Sequence, residues 1–307
     1  MSLEERELLD LEKAVKLLEQ ATITEKMTQM VGKPIDYLMS KLPKGAEAQI
    51  YSLVEKALHK AADAALWSLN NEPNREASTK TNKFFAAVSG AVGGTFGFSA
   101  LAIELPLSTT IMFRSVADIA RSEGFDLDKV ETKQACLEVF ALGGPSENDN
   151  AVDTAYENDD AVDTAYENDD AVDTAYENDD AVDTAYYATR SFTAEAMQIL
   201  SKELSEIATK KVSVNAAMNL TPTQTGKWLA TLIEKVATRF GIVITEKTAA
   251  QVVPVIGAFA GATLNIMFTD YYQDMARGHF IIKRLEKKYG SELIKSEYMK
   301  ILNLVRS

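Results

Sequence analysis

The sequence predicts an all-α protein: a multi-helix bundle with two Gly-rich apolar central helices and a disordered acidic repeat insertion. Three observations carry this. Apolar residues recur at three- and four-residue spacing along most of the chain, and no convincing strand pair is found. Two runs, residues 84–103 and 248–269, contain no charged residue. Between them, residues 147–186 are four consecutive copies of one acidic decapeptide.

The first helix is expected over residues 4–20, where Leu8, Leu11, Val15 and Leu18 share one face. Met1 to Gln20 has no apolar core followed by a small-residue cleavage site, so it does not read as a secretory signal. The protein is therefore expected in the cytoplasm, at the inner face of the cytoplasmic membrane. Residues 46–70, 191–212 and 223–240 also read as amphipathic helices, and Asn71 to Thr81, with Pro73, as a linker or long turn. Thr221-Pro222 is a helix start, with a capping hydroxyl and a proline where no hydrogen bond is lost. Trp228, Leu229, Leu232, Val236 and Phe240 then share a face, and Gly241 reads as the stop.

The uncharged runs carry small residues one helical turn apart: Gly90 with Gly94, Gly93 with Gly97, and Gly257 with Gly261. That spacing leaves a bare strip on one helix face, where another backbone can approach closely. Each run is long enough to cross a bilayer. Both, however, are richer in Ala and Gly than in Leu and Ile, and Pro254 and the Glu104-Leu105-Pro106 step are expected to kink or break them. Two readings stand: central helices packed inside a soluble bundle, or a membrane-embedded hairpin pair.

The repeat unit is Glu-Asn-Asp-Asp-Ala-Val-Asp-Thr-Ala-Tyr, with Asn150 the single departure. Its fifteen carboxylates and no base account for more than the net charge of −13, leaving the rest of the chain near neutral. A ten-residue period falls about 80° short of whole helical turns. Val152, Val162, Val172 and Val182 therefore spiral around a helix axis instead of lining a face, as do Tyr156, Tyr166, Tyr176 and Tyr186. The block reads as a solvated spacer. Calcium binding by its carboxylates is the alternative, although the unit lacks the turn glycine and spacing of an EF-hand. With no basic, aromatic-interleaved patch elsewhere, nucleic acid is not an expected partner.

Candidate chemistry is sparse. Glu104 stands in an otherwise apolar run just before Pro106. Arg114 and Asp118, four apart, can pair along a helix, with Arg121 a turn beyond, and Arg114 can instead reach back to Glu104. These four read either as a polar cluster that binds a head group or gates a conformational change, or as an internal salt bridge fixing helix register. His59 and His279 are the only histidines. The single Cys136, among Leu137, Val139 and Phe140, reads as a buried thiol. No metal-ligand, nucleophile-elbow or phosphate-loop motif occurs, so no metal site and no cofactor is expected. The alternative function is an enzyme, for instance a hydrolase using Glu104, Asp118 or His279 in a buried cleft.

A family resemblance is carried by Glu104-Leu105-Pro106, Thr109-Thr110, Arg114-Ser115, Asp118-Ile119-Ala120 and Glu123-Gly124. It continues through Cys136 to Gly144, Tyr186-Tyr187-Ala188-Thr189-Arg190, and Ala260-Gly261-Ala262 with Asn265, Phe268, Ala276, Phe280, Leu285 and Tyr289-Gly290. Together these resemble the EcsC protein family over residues 84 to 300. The resemblance implies a bacterial, largely helical protein from the gene neighbourhood of an ABC-type exporter, and it carries no biochemical activity with it. It divides the chain into N-terminal amphipathic helices (1–80), a first core part (81–146), the repeat insert (147–186) and a second core part (187–307). The function expected is that of a non-catalytic, peripherally membrane-associated accessory protein. Its partner would be the membrane surface or a membrane protein such as an ABC transporter component.

Overall fold

The computed structural model describes residues 3–67, 73–78, 101–143, 186–191, 222–252 and 257–306. Among these residues the regular structure is entirely helical, as the periodicity predicts. The helices are α1 (Glu5–Leu18), α2 (Ile23–Val31), α3 (Ile35–Met39), α4 (Ala46–Trp67), α5 (Leu101–Ser122) and α6 (Val130–Ala141). After a helical segment at 186–191, here α7, come α8 (Pro222–Val252), α9 (Gly257–Tyr289) and α10 (Ser291–Arg306). The repeat up to residue 185, the helix expected beyond residue 191, and Gly90, Gly93, Gly94 and Gly97 lie outside the described residues. Gly257 and Gly261 are helical in α9, but their packing lies outside the described residues too.

Local chemistry explains most boundaries. Thr22 caps α2 through a reciprocal pair with Glu25, each side chain accepting from the other's backbone amide. Gly32 closes α2 at φ +66°, where an L side chain would be strained. Two expected interruptions are absent. α5 runs unbroken through Pro106: the carbonyl deprived of a partner is that of Ala102, on an exposed turn, where water can satisfy it. α8 continues eleven residues past Gly241. That glycine serves packing, because a Cβ there would come within 2.8 Å of the Tyr51 ring on α4.

Long-range pairs give the helix directions. α5 and α9 run parallel, joined by Glu104–Asn265 at 3.0 Å, Ser115–Gln273 at 2.6 Å and Glu123–Arg277 at 3.3 Å. α1 runs antiparallel to α9: Leu18 packs on Gly278, Asp10 pairs with Arg284 at 2.9 Å, and Glu7 with Lys288 at 2.7 Å. At the centre, the Phe140 ring of α6 meets Phe113 of α5, Phe240 of α8 and Tyr272 of α9, with centroids 5.0 to 5.7 Å apart. Offset and edge-on contacts of this kind add specificity to apolar burial. One aromatic cluster thus ties the helices on both sides of the repeat into a common core.

Candidate functional site

Three buried polar networks are built into this core, and each holds at least one of the residues the sequence singles out. The first joins α5, α8 and α9. Oε1 of Glu104 accepts from Lys247 Nζ at 3.2 Å and from Asn265 Nδ2 at 3.0 Å. Both charged side chains are sealed, Lys247 at 1% exposure and Glu104 at 5%. Burial alone would raise the Glu104 carboxyl, but the Lys247 ammonium and the hydrogen bonds of Asn265, Lys247 and Ser108 outweigh it and hold it below the usual carboxylate range. The ammonium also sits 5.3 Å from the Phe268 ring centroid. Such a node ties three helices together around the closed carboxylate.

The second network is at the other end of α5. Asp118 pairs with Arg121 one turn later and accepts from the backbone amide of Ser78. Arg121 in turn reaches the carbonyl of Glu76 at 3.5 Å and, through its own carbonyl, takes the amide of Asn74 at 2.7 Å. These two residues pin the 73–78 segment against the helix end. Of the four residues read as one cluster, Glu104 faces Lys247 and Asp118 pairs with Arg121, with the half-buried Arg114 between them on α5.

His279 anchors the third network, at the meeting of α6, α7 and α9. It is fully buried, with Nε2 3.4 Å from Glu138 Oε2 and Nδ1 3.1 Å from the Tyr186 hydroxyl. The tautomer with its proton on Nε2 suits both neighbours, because the carboxylate only accepts and Nδ1 is then free to accept from the tyrosine. Glu138 also receives Gln134 at 2.9 Å and Lys283 at 3.3 Å. Burial holds the imidazole down to about 4, against the opposing pull of Glu138. Beside it, Arg190 grips Glu286 through two hydrogen bonds, at 2.6 and 3.0 Å. A shallow cleft of about 360 Å³ lies outside, lined by Lys283, Lys287, Glu131 and Glu286 among others, and His279 does not reach it. Cys136 is fully buried, and burial drives its thiol far above its ordinary range. Among the described residues no group of side chains is arranged to hold a metal ion.

The residues that complete these networks, Lys247, Asn265, Glu138, Tyr186 and Lys283, were not candidates on sequence grounds. One signal pointed to the first of them: Lys247 is the last charged residue before the second uncharged run, as Glu104 is the first after the other. Several of the others sit in the motifs that carry the family resemblance. The EcsC protein family matches the chain over residues 3–285. The chain belongs to the EcsC family. The match begins well ahead of residue 84, so in this EcsC protein α1 to α4 fall within the family region. Of the motif residues, Glu104, Asp118, Glu138, Tyr186, Arg190 and Asn265 all have partners in the networks described above. No curated protein and no solved structure matches the chain.

Proposed function

We propose that this EcsC protein is a non-catalytic accessory protein. It works at the inner surface of the cytoplasmic membrane, laying apolar helix surface against the bilayer or a membrane protein. The observation that best supports this reading is the Glu104–Lys247 pair. Run 84–103 ends immediately before Glu104 and run 248–269 begins immediately after Lys247, so the pair joins the close of one uncharged run to the start of the other. Next to Glu104, Ile103 and Leu107, one turn apart on α5, are 75% and 50% exposed. Neighbouring large apolar side chains left in water favour a partner that removes them from it. The reading requires no spanning segment, and among the described residues no helix is long and apolar enough to cross a membrane.

Flotation of the purified chain with phosphatidylcholine vesicles tests the reading, alongside fractionation of native cells at low salt. The expected result is recovery with vesicles and membranes, reduced by Ile103→Asp with Leu107→Asp. Recovery wholly in the soluble fraction in both experiments overturns it. The link to an ABC-type exporter rests on the family resemblance; failure of exporter subunits to co-purify from membranes would remove it. A hydrolase built on Glu104 or Asp118 has less support, because both carboxylates are closed in ion pairs. Calcium binding by the repeats is a separate alternative, and an absence of heat on titrating the full chain with millimolar Ca²⁺ counts against it.

A further inference from the structure

We propose that the corner formed by α2 and α3 is a contact for anionic phospholipid head groups, with Tyr37 entering the interface between Lys33 and Lys41. The inference rests on the reading that the protein meets a bilayer, and it assigns the lipid chemistry. Tyr37 is 44% exposed, and on the same corner Met30 is 38% exposed. The Lys33 ammonium lies 5.6 Å and that of Lys41 4.7 Å from the Tyr37 ring centroid, so the three side chains form one patch. Lys33, Lys41 and Lys44 are exposed and make no ion pair among the described residues. From Lys26 to Ala46 the chain carries four lysines against the single carboxylate of Asp36, in a scaffold otherwise close to neutral.

The fold holds this patch outward. Leu38 is fully buried, and Ile35, Met39 and Leu42 pack against the core, so the opposite face of α3 must carry Tyr37 away from it. Gly32 and Gly45, at φ +66° and +76°, turn the chain sharply at either side of the corner. Thr24 Oγ1 hydrogen-bonds Glu246, the neighbour of Lys247, at 2.5 Å, so α2 starts at the level of the Glu104–Lys247 pair. A tyrosine flanked by unpaired lysines suits the head-group region, where a ring with an apolar body and a polar tip meets anionic charge. The net acidity of the chain resides in the repeat, and the scaffold that carries this patch is close to neutral.

Co-sedimentation of the full chain with phosphatidylcholine vesicles, and with vesicles that also contain phosphatidylglycerol, tests the proposal. Binding is expected to be tighter to the anionic vesicles and to weaken with salt. Lys33→Glu with Lys41→Glu should lower anionic binding by roughly thirty-fold or more, at about fivefold per lysine lost, and leave neutral-vesicle binding within about twofold. Lys33→Arg with Lys41→Arg should keep the preference, and unchanged circular-dichroism melts would show that the variants fold. Equal binding to both vesicle types, or an anionic preference untouched by the glutamate pair, overturns this proposal and leaves the preceding one standing. Binding to neither vesicle overturns both. Lysine-dependent retention on heparin without anionic-vesicle binding, or lysine-dependent dimerisation, reassigns the patch to another polyanion or to a second copy and also overturns it.

Discussion

The hydroxyl of Tyr186, the last residue of the fourth acidic decapeptide, lies 3.1 Å from Nδ1 of His279 in the interior of α9. The repeat therefore ends inside the core, with the Tyr186 ring stacked on Tyr298 at 5.7 Å and edge-on to Tyr187 at 5.1 Å. Tyr186→Phe should cost about 1–3 kcal/mol, because it leaves the Nδ1 acceptor buried without a donor. Tyr186→Ala should cost about 3–5 kcal/mol through the added cavity. Urea denaturation measures both, and equal, small losses would mean that the residue is not part of the core.

Removal of residues 147–176, which keeps the copy ending at Tyr186, should leave the fold intact and change stability by no more than about 1 kcal/mol. Gly143 rests against Tyr272 and Tyr186 against His279, so both attachment points lie within two turns of α9. Each halving of a connecting loop recovers only about 0.6 kcal/mol. A large drop in melting temperature would show that the deleted copies carry native contacts.

The Glu104–Lys247 node predicts a steep double-mutant cycle. Lys247→Met alone strands a buried carboxylate and should cost about 3–5 kcal/mol, whereas Glu104→Gln in the same chain should restore most of it. Additive losses in the cycle, read from denaturation midpoints, would exclude direct pairing.

Gly278→Ala should destabilise by about 2–3 kcal/mol even though alanine is the better helix former by about 1 kcal/mol. A Cβ there would come within 2.6 Å of Leu18 Cγ and 3.2 Å of the Ala14 carbonyl oxygen, and the latter is backbone that cannot turn aside. A neutral or stabilising result in thermal melts would mean that α1 can shift off α9 at little cost.

Two buried groups give opposite pH slopes. Burial holds His279 down to about 4, so the unfolded chain takes up its proton first. The stability tied to neutral His279 is complete above about 6.5 and is lost as pH falls towards 4. Burial raises Glu246 to about 6, with Thr24 opposing, so the folded chain protonates first there. Its charged form is a burden at neutral pH that is relieved as pH falls through 6. Glu246→Gln should therefore stabilise by about 1–2 kcal/mol near neutrality, and this gain should shrink as pH drops below 6. A gain independent of pH would assign the effect to packing instead of charge.

The helical class and the long helices were legible because periodicity is local: α1, α4 and the first half of α8 follow directly from the spacing of their apolar residues. α2 and α3 were not, since nine and five residues around Pro34 give too few turns to show a period. Gly241 and Gly278 look alike in sequence to glycines that end helices, and only the neighbouring helix, Tyr51 in one case and Leu18 in the other, shows that they make room. The same limit applies to the polar residues. Glu104 and His279 stand out as charge or ring among apolar text, but their partners Lys247 and Glu138 are 143 and 141 positions away, and nothing in a single chain's spacing pairs them.

Because the anchoring tyrosine is the terminal letter of the repeated unit, the gain or loss of whole copies regenerates the junction. Any number of complete units still delivers a tyrosine directly before Tyr187 and leaves Gly143-Gly144 untouched. Slippage during replication in steps of thirty nucleotides would thus pass through this gene without disturbing the protein's interior, while adding four negative charges at each step. The junction makes the locus tolerant of length variation in the way a zip fastener tolerates extra identical teeth, and isolates differing only in copy number should share one folded core.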